Sequence, residues 1–131
     1  MRKHVPEVPS GVSPIGPYSI AVQAGDFVFI SGQTAIDPET DTPIEGDVRA
    51  QARRVMENLG LILGDLELGF DDIVKTTIFL ADIADFAVVN EVYAGYFDEA
   101  PPARSTIQAA GLPGGYLVEI EVIAVRPEEV L

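Results

Sequence analysis

Asp26-Phe27-Val28-Phe29-Ile30-Ser31 places four apolar residues in a row between polar ends. A strand presents successive side chains to opposite faces of its sheet, so Phe27 and Phe29 face one way and Val28 and Ile30 the other. A run that is apolar on both faces is normally buried on both. The surroundings of this strand therefore decide the architecture. Upstream, residues 18–22 read as a second strand, joined to it through Gln23-Ala24-Gly25. Residues 5–17 are rich in Pro and Gly and read as an extended arm. Downstream, residues 37–41 (Asp-Pro-Glu-Thr-Asp) read as a turn. Their alternate acids lack the glycine and terminal glutamate of a calcium loop.

From Asp47 the period changes. Val48, Ala52, Val55, Leu59, Ile62, Leu63 and Leu66 recur in steps of three and four, one apolar stripe of a helix, with Asp47 as N-cap and Gly69 as the end. Residues 73–80 read as a strand. Residues 84–99 read as a second helix whose stripe, Phe86, Val89, Tyr93, Tyr96 and Phe97, is assigned to the core; Pro101-Pro102 ends it. Residues 103–109 and 117–125 read as two final strands, linked through Gly111-Leu112-Pro113-Gly114-Gly115. The order strand, strand, helix, strand, helix, strand, strand is an α+β pattern, read as one domain over residues 1–131. Two helices cover one face of such a sheet. The second face of the Phe27–Ile30 run then asks for another cover, and a second copy of the chain is the simplest one.

Composition narrows the chemistry. Lys and Arg total 8 against 21 Asp and Glu, a net charge of −13, which disfavours polyanionic partners such as nucleic acid and anionic membranes. There is no cysteine, so disulfides, thiolate metal sites and cysteine nucleophiles are excluded. The one histidine, His4, falls in a terminus expected to fray, which removes histidine triads and multi-histidine metal sites. No apolar leader follows Met1-Arg2-Lys3 and no long apolar run occurs, which predicts a cytoplasmic chain without membrane spans. Phosphate-binding glycine loops and a nucleophile elbow are absent, and nothing supports Lys75 as a Schiff-base lysine.

Three kinds of polar residue interrupt the apolar pattern. Asn90 lies on the buried stripe of the second helix, between Phe86 and Tyr93. Glu119 and Glu121 share a face of the last strand with Leu117, Ile123 and Val125, while Val118, Ile120, Val122 and Ala124 point at the helices. Arg104 opens a strand just after Pro101-Pro102-Ala103. Its guanidinium is suited to gripping a substrate carboxylate with two parallel bonds, and equally to pairing with Glu119 or Glu121. The pattern alone leaves both roles open.

Pro102-Ala103-Arg104-Ser105-Thr106-Ile107, followed by Val118-Glu119-Ile120-Glu121-Val122, resembles the C-terminal signature of the Rid family, the reactive intermediate deaminases, also called YjgF-like or L-PSP proteins. Ile15-Gly16-Pro17-Tyr18-Ser19, Ile30-Ser31-Gly32-Gln33, Asp72-Ile73-Val74-Lys75-Thr76-Thr77 and Val89-Asn90-Glu91-Val92-Tyr93 extend the resemblance in family order, over residues 14–126. It implies a chorismate-mutase-like fold, a mixed sheet backed by two helices, and a homotrimer whose sheets line a central barrel with sites between subunits. It also implies hydrolysis of 2-imino acids and their enamine tautomers, such as 2-iminobutanoate and 2-iminopropanoate, to 2-oxo acids and ammonia, with no metal and no organic cofactor. By position, Arg104 matches the arginine that binds the substrate carboxylate, and Glu119 matches the glutamate that holds the attacking water. Tyr18, Ser31 with the Gly32 backbone, and Asn90 match residues that line the pocket. Thr106 stands where many relatives carry cysteine, a change that bears on pocket shape and substrate preference. The family also has an endoribonuclease and translation-inhibitor reading, which the charge and the lack of a basic cluster beyond Arg53-Arg54 oppose. A third reading is a non-catalytic 2-oxo-acid-binding or chaperone-like protein.

Overall fold

The computed structural model describes residues 2–127. In chain order the elements are β1 (Lys3–His4), β2 (Ala21–Ala24), β3 (Phe27–Gln33), β4 (Ile36–Asp37), β5 (Thr42–Pro43), α1 (Val48–Asp65), β6 (Ile73–Leu80), α2 (Phe86–Ala94), β7 (Ala103–Gln108) and β8 (Val118–Val125). Six strands form one sheet in the order β1-β2-β3-β8-β6-β7, and β4 with β5 makes a small separate hairpin. Within the sheet only β6 and β7 run parallel, connected by the crossover through α2. The fold is thus α+β, with two helices on one face of a mainly antiparallel sheet.

α1 forms where its stripe requires. Asp47 accepts from the Ala50 N–H at 3.0 Å, and every residue of the stripe from Val48 to Leu66 is buried. The helix ends earlier than Gly69. Glu67 takes the left-handed conformation (φ 60), Leu68 N–H reaches the Leu63 carbonyl and Glu67 N–H that of Gly64, a Schellman closure with glutamate at the position glycine usually fills. Arg126 also donates to the freed Leu66 carbonyl at 2.8 Å. α2 is shorter than the 84–99 expected from periodicity. A 3₁₀ turn at Ile83–Asp85 precedes it and the chain leaves the helix at Gly95. Tyr96 and Phe97 therefore pack from a loop, with Phe97 4.7 Å from Tyr93 and Tyr96 5.2 Å from Phe70 between ring centres. His4 does not fray: it pairs with Gln23 on the edge of the sheet.

The helices cover the face bearing Val28, Ile30, Ile78, Leu80, Val118, Ile120, Val122 and Ala124, all buried. On the opposite face Phe27, Phe29 and Ile107 are 47%, 44% and 48% exposed. The apolar far side expected of the Phe27–Ile30 strand is therefore present and uncovered in the single chain.

Between Ile30 and Gln33 the pairing of β3 with β8 slips, so that Ser31 and Gly32 together oppose Glu121. This β-bulge bends the strand and turns its end. Behind it, the buried Asn58 of α1 donates to the carbonyls of Thr34 (3.3 Å) and Ile36 (2.7 Å) and accepts from Arg54 Nε (3.0 Å). Asn58→Ala takes the amide partner from the Ile36 carbonyl and Arg54 Nε and leaves the Thr34 carbonyl only the Ile36 N–H; the expected loss is about 1–3 kcal/mol, read as a lower midpoint in urea unfolding. An unchanged midpoint would show that water replaces the amide without cost.

Candidate functional site

A cleft of about 810 Å³ opens where the N-terminal arm, the bulge, the turn before β8 and the far face of β8 meet. The bulge builds its floor. Ser31 N–H donates to the Ile20 carbonyl (2.8 Å) and Ser31 Oγ donates to the Ser19 carbonyl (2.7 Å), which ties the arm to β3. The Ser31 hydroxyl has thereby spent its hydrogen and retains only acceptor capacity. The buried Gln33 braces the same turn, its Nε2 donating to the Ser31 carbonyl at 3.1 Å. Tyr18, half exposed, stands on the arm at the cleft wall. Gly114 and Gly115 hold φ of 82 and 74 in the turn on the other side, where a side chain would be strained.

Gly32 has a steric role. A Cβ placed there would lie 2.8 Å from Glu119 Cδ and 3.0 Å from its Oε2. The Glu119 carboxyl thus rests against bare backbone, a position that any larger residue at 32 would take away. Glu119 and Glu121 both line the cleft, as the alternation of β8 requires. Burial pushes the Glu119 carboxyl above the usual carboxylate range, and the neighbouring Glu121 charge pushes it in the same direction. The lining includes Asp41 as a third acid and neither Lys nor Arg.

The remaining residues singled out from the sequence lie elsewhere. Arg104 pairs in register with Thr76, and Thr106 with Ile78, so both side chains take the helix-facing side of β7, opposite to Glu119. The Arg104 guanidinium lies over the rings of Phe86 (5.5 Å) and Tyr93 (4.9 Å). Half-buried Asn90 occupies the same stripe of α2, one turn from Phe86. Thr106 Oγ1 is buried without a hydrogen-bond partner. The seven candidates fall into two groups: Tyr18, Ser31, Gly32 and Glu119 in the cleft, and Arg104, Thr106 and Asn90 on the other side of the sheet.

This division bears on the pairing role left open for Arg104. Within the chain it pairs with neither Glu119 nor Glu121, because they lie on opposite faces of the sheet. The ion pairs among the described residues are Arg49–Glu91 and Arg54–Glu57, both partly exposed. Nor does Arg104 hold the Glu119 carboxyl down; the charge that acts on it is that of Glu121. Lys75 Nζ donates to Ser105 Oγ at 3.0 Å. Gln33, Phe86 and Tyr93 also shape these surroundings, and sequence reasoning passed over them or assigned them to the core. The family segments that contain Gln33 and Tyr93 carried a signal, and Phe86 lies in none of them. Among the described residues no group of three or more acids or histidines is placed to hold a metal ion, and no helix is long and apolar enough to cross a membrane.

A family model described as endoribonuclease L-PSP matches residues 9–126. The protein DfrA of Myxococcus xanthus is 57% identical over 113 residues, 85% of this chain and 86% of its own length. The 2-iminobutanoate/2-iminopropanoate deaminase of Mus musculus is 47% identical over 112 residues, 86% and 83% of the two chains. Among solved structures, E. coli TdcF with bound serine superposes with a TM-score of 0.88 at 42% identity, covering 95% of this chain and 99% of that one.

The electrostatics of the cleft can be measured directly. Glu121→Gln removes one of the two causes that raise the Glu119 carboxyl, so its titration midpoint, followed by carbon NMR of labelled glutamate, moves to lower pH. A raised folded pKa means that the folded state holds the proton more tightly. The contribution of Glu119 to stability is therefore intact below the unfolded pKa and is lost as pH rises through the folded one. Glu121→Gln accordingly recovers stability at neutral pH. A midpoint unmoved by the substitution would show that the two carboxylates do not interact.

Proposed function

The chain belongs to the endoribonuclease L-PSP family, the Rid proteins, and from that premise we propose that it hydrolyses 2-imino acids and their enamine tautomers to 2-oxo acids and ammonia in sites shared between subunits of a homotrimer. The observation that carries this reading is the division of the charged groups. An acidic cleft with Glu119 and Glu121 repels a carboxylate, while Arg104, the group suited to binding one, has no anionic partner among the described residues on the other side of the sheet. Each half lacks what the other has. A neighbouring copy that seats its Arg104, Asn90 and Thr106 against this cleft completes both, and covers Phe27, Phe29 and Ile107 as well. The mouse relative bears the name of this activity, and the TdcF structure holds serine, a small molecule with an amine beside a carboxylate.

The chemistry asks little beyond placement. A protonated imine carbon is already electrophilic, so neither a nucleophilic side chain nor a Lewis acid is required. Arg104 grips the substrate carboxylate with two charge-assisted bonds and so fixes the imine carbon over Glu119. Water adds its oxygen to that carbon as the Glu119 carboxylate takes one of its protons, and the C=N π pair moves to nitrogen. The carbinolamine then collapses: Glu119 returns the proton to nitrogen, the C–N bond breaks as the hydroxyl oxygen forms the carbonyl, and the hydroxyl proton passes to the released ammonia, which leaves as ammonium. One water is consumed and one ammonia released, with no change in oxidation state. A carboxyl raised by burial and by Glu121 is a better proton acceptor than an ordinary glutamate, which suits this role. Tyr18, Ser31 and Gly32 shape the wall around the reacting centre.

The endoribonuclease reading meets the same cleft with its acids and no lining Lys or Arg, a surface that repels phosphates. The binding-only reading is separated by turnover. An amino-acid oxidase supplies imines, and their loss is followed with and without the protein. Acceleration is the expected outcome; none with any of several side chains would sink the enzyme reading. Arg104→Ala abolishes turnover and Arg104→Lys fails nearly as far, since an ammonium cannot form two parallel bonds to a carboxylate. Glu119→Gln keeps 2-oxo-acid binding while turnover falls by about two orders of magnitude or more. In solution, light scattering is expected to give about 42 kDa, three chains of 14.0 kDa each. A stable monomer at micromolar concentration would remove the shared site.

A further inference from the structure

An arginine that must receive a carboxylate faces two difficulties: its long side chain has many rotamers, and any acid that steadies it also occupies its donors. Arg104 meets neither in the usual way. Its guanidinium lies 4.9 Å from the Tyr93 ring centre and 5.5 Å from that of Phe86, and among the described residues no carboxylate comes within ion-pair distance of it. Aromatic faces attract a cation through their quadrupole yet accept no in-plane N–H bond. Both rings come from α2, and one of them is locked. Tyr93 is buried and its hydroxyl shares a 2.8 Å hydrogen bond with Thr76 Oγ1. Thr76 is in turn the residue that Arg104 faces in the parallel pairing of β6 and β7. Strand register, hydroxyl pair and ring thus refer to the same point. The orphaned Thr106 Oγ1, two residues along on the same face of β7, leaves a further buried donor uncommitted beside the fork.

We propose that Phe86 and Tyr93 are positioning residues: a two-ring clamp that fixes the Arg104 guanidinium while leaving its five N–H donors free for the substrate carboxylate. This rests on the proposed role of Arg104 in binding that carboxylate. The rotamer freedom of the arginine is lost on folding rather than on binding, so the clamp acts as preorganisation. Phe86 is the informative half. It is the first residue of α2 and 40% exposed, so its ring adds little to the core, whereas Tyr93 is part of it.

Two readouts on the intact protein test the clamp, with 2-oxobutanoate as the probe ligand. In the ligand-free protein, the Arg104 Hε proton resonates upfield through the ring currents of Phe86 and Tyr93, and Phe86→Leu moves it back downfield. By calorimetry, Phe86→Leu weakens 2-oxobutanoate binding about fivefold to tenfold, the loss of one partly shielded cation–π contact. Phe86→Trp, with a stronger ring, binds as tightly as the parent or tighter. Both variants keep the parent melting temperature, which a purely structural role for Phe86 would not allow alongside a tenfold loss in binding. An Arg104 Hε without upfield shift, equal binding by Phe86→Leu and the parent, or equal weakening by Leu and Trp each overturns the clamp. Failure of the deaminase reading looks different: the ring-current shift persists, but the parent protein neither binds 2-oxobutanoate nor speeds imine loss. That outcome removes the substrate role from the clamp too.

Discussion

Burial of Val118, Ile120, Val122 and Ala124 beneath the helices locks the phase of β8, because a strand that commits alternate residues to one face commits the rest to the other. A slip of one residue would bury Glu119 and Glu121 in the core and expose four apolar side chains. The two carboxylates are therefore held on the far face by the hydrophobic energy of their neighbours. β8 lies centrally in the sheet, between β3 and β6, so the same phase propagates to both. Phe27 and Phe29 go to the far face through β3. Thr76 and Ile78, and through them Arg104 and Thr106, go to the helix face through β6.

The consequence is a separation of charge that one chain cannot close. The cleft carries three acids and the guanidinium lies behind the sheet, stacked on aromatic rings. A single polypeptide of this shape holds a raised carboxyl on one face of its sheet and an arginine on the other. In the shared-site reading the imbalance becomes a means of assembly, since the surface with an excess of negative charge and exposed aromatics meets one with an uncommitted cation.

Smaller features serve the precision of the cleft as well as the stability of the fold. The bulge at Ser31 and Gly32 gives the Glu119 carboxyl bare backbone to rest against, and Asn58 and Gln33 hold that bulge from behind. Ser31 fastens the arm that carries Tyr18. Ser10, whose amide and hydroxyl both donate to Asp65, fastens the start of the same arm to the end of α1. A long segment with no regular structure is thereby held in one course by side-chain hydrogen bonds at both ends.

The amino-acid sequence by itself determined the features that periodicity dictates. The stripe of α1 with its Asp47 cap, the bounds of β6, and the outward placement of Glu119 and Glu121 all rest on strong, regular alternation, which local physics reads without reference to the rest of the chain. Where the pattern was weak, only the tertiary structure decided. In β7 one face carries only the polar Arg104, Thr106 and Gln108 while the other mixes Ala103, Ser105 and Ile107, so alternation alone does not seat Arg104 against the helices; the parallel register with β6 does. The bulge at Ser31-Gly32 and the left-handed Glu67 are likewise invisible to propensity, because each is imposed by pairing or closure elsewhere. The second helix stops at Gly95 although its apolar pattern runs on. Aromatic packing among Phe70, Tyr93, Tyr96 and Phe97 satisfies that pattern from a loop, since burial rewards where a ring ends up and not the backbone conformation that carries it there.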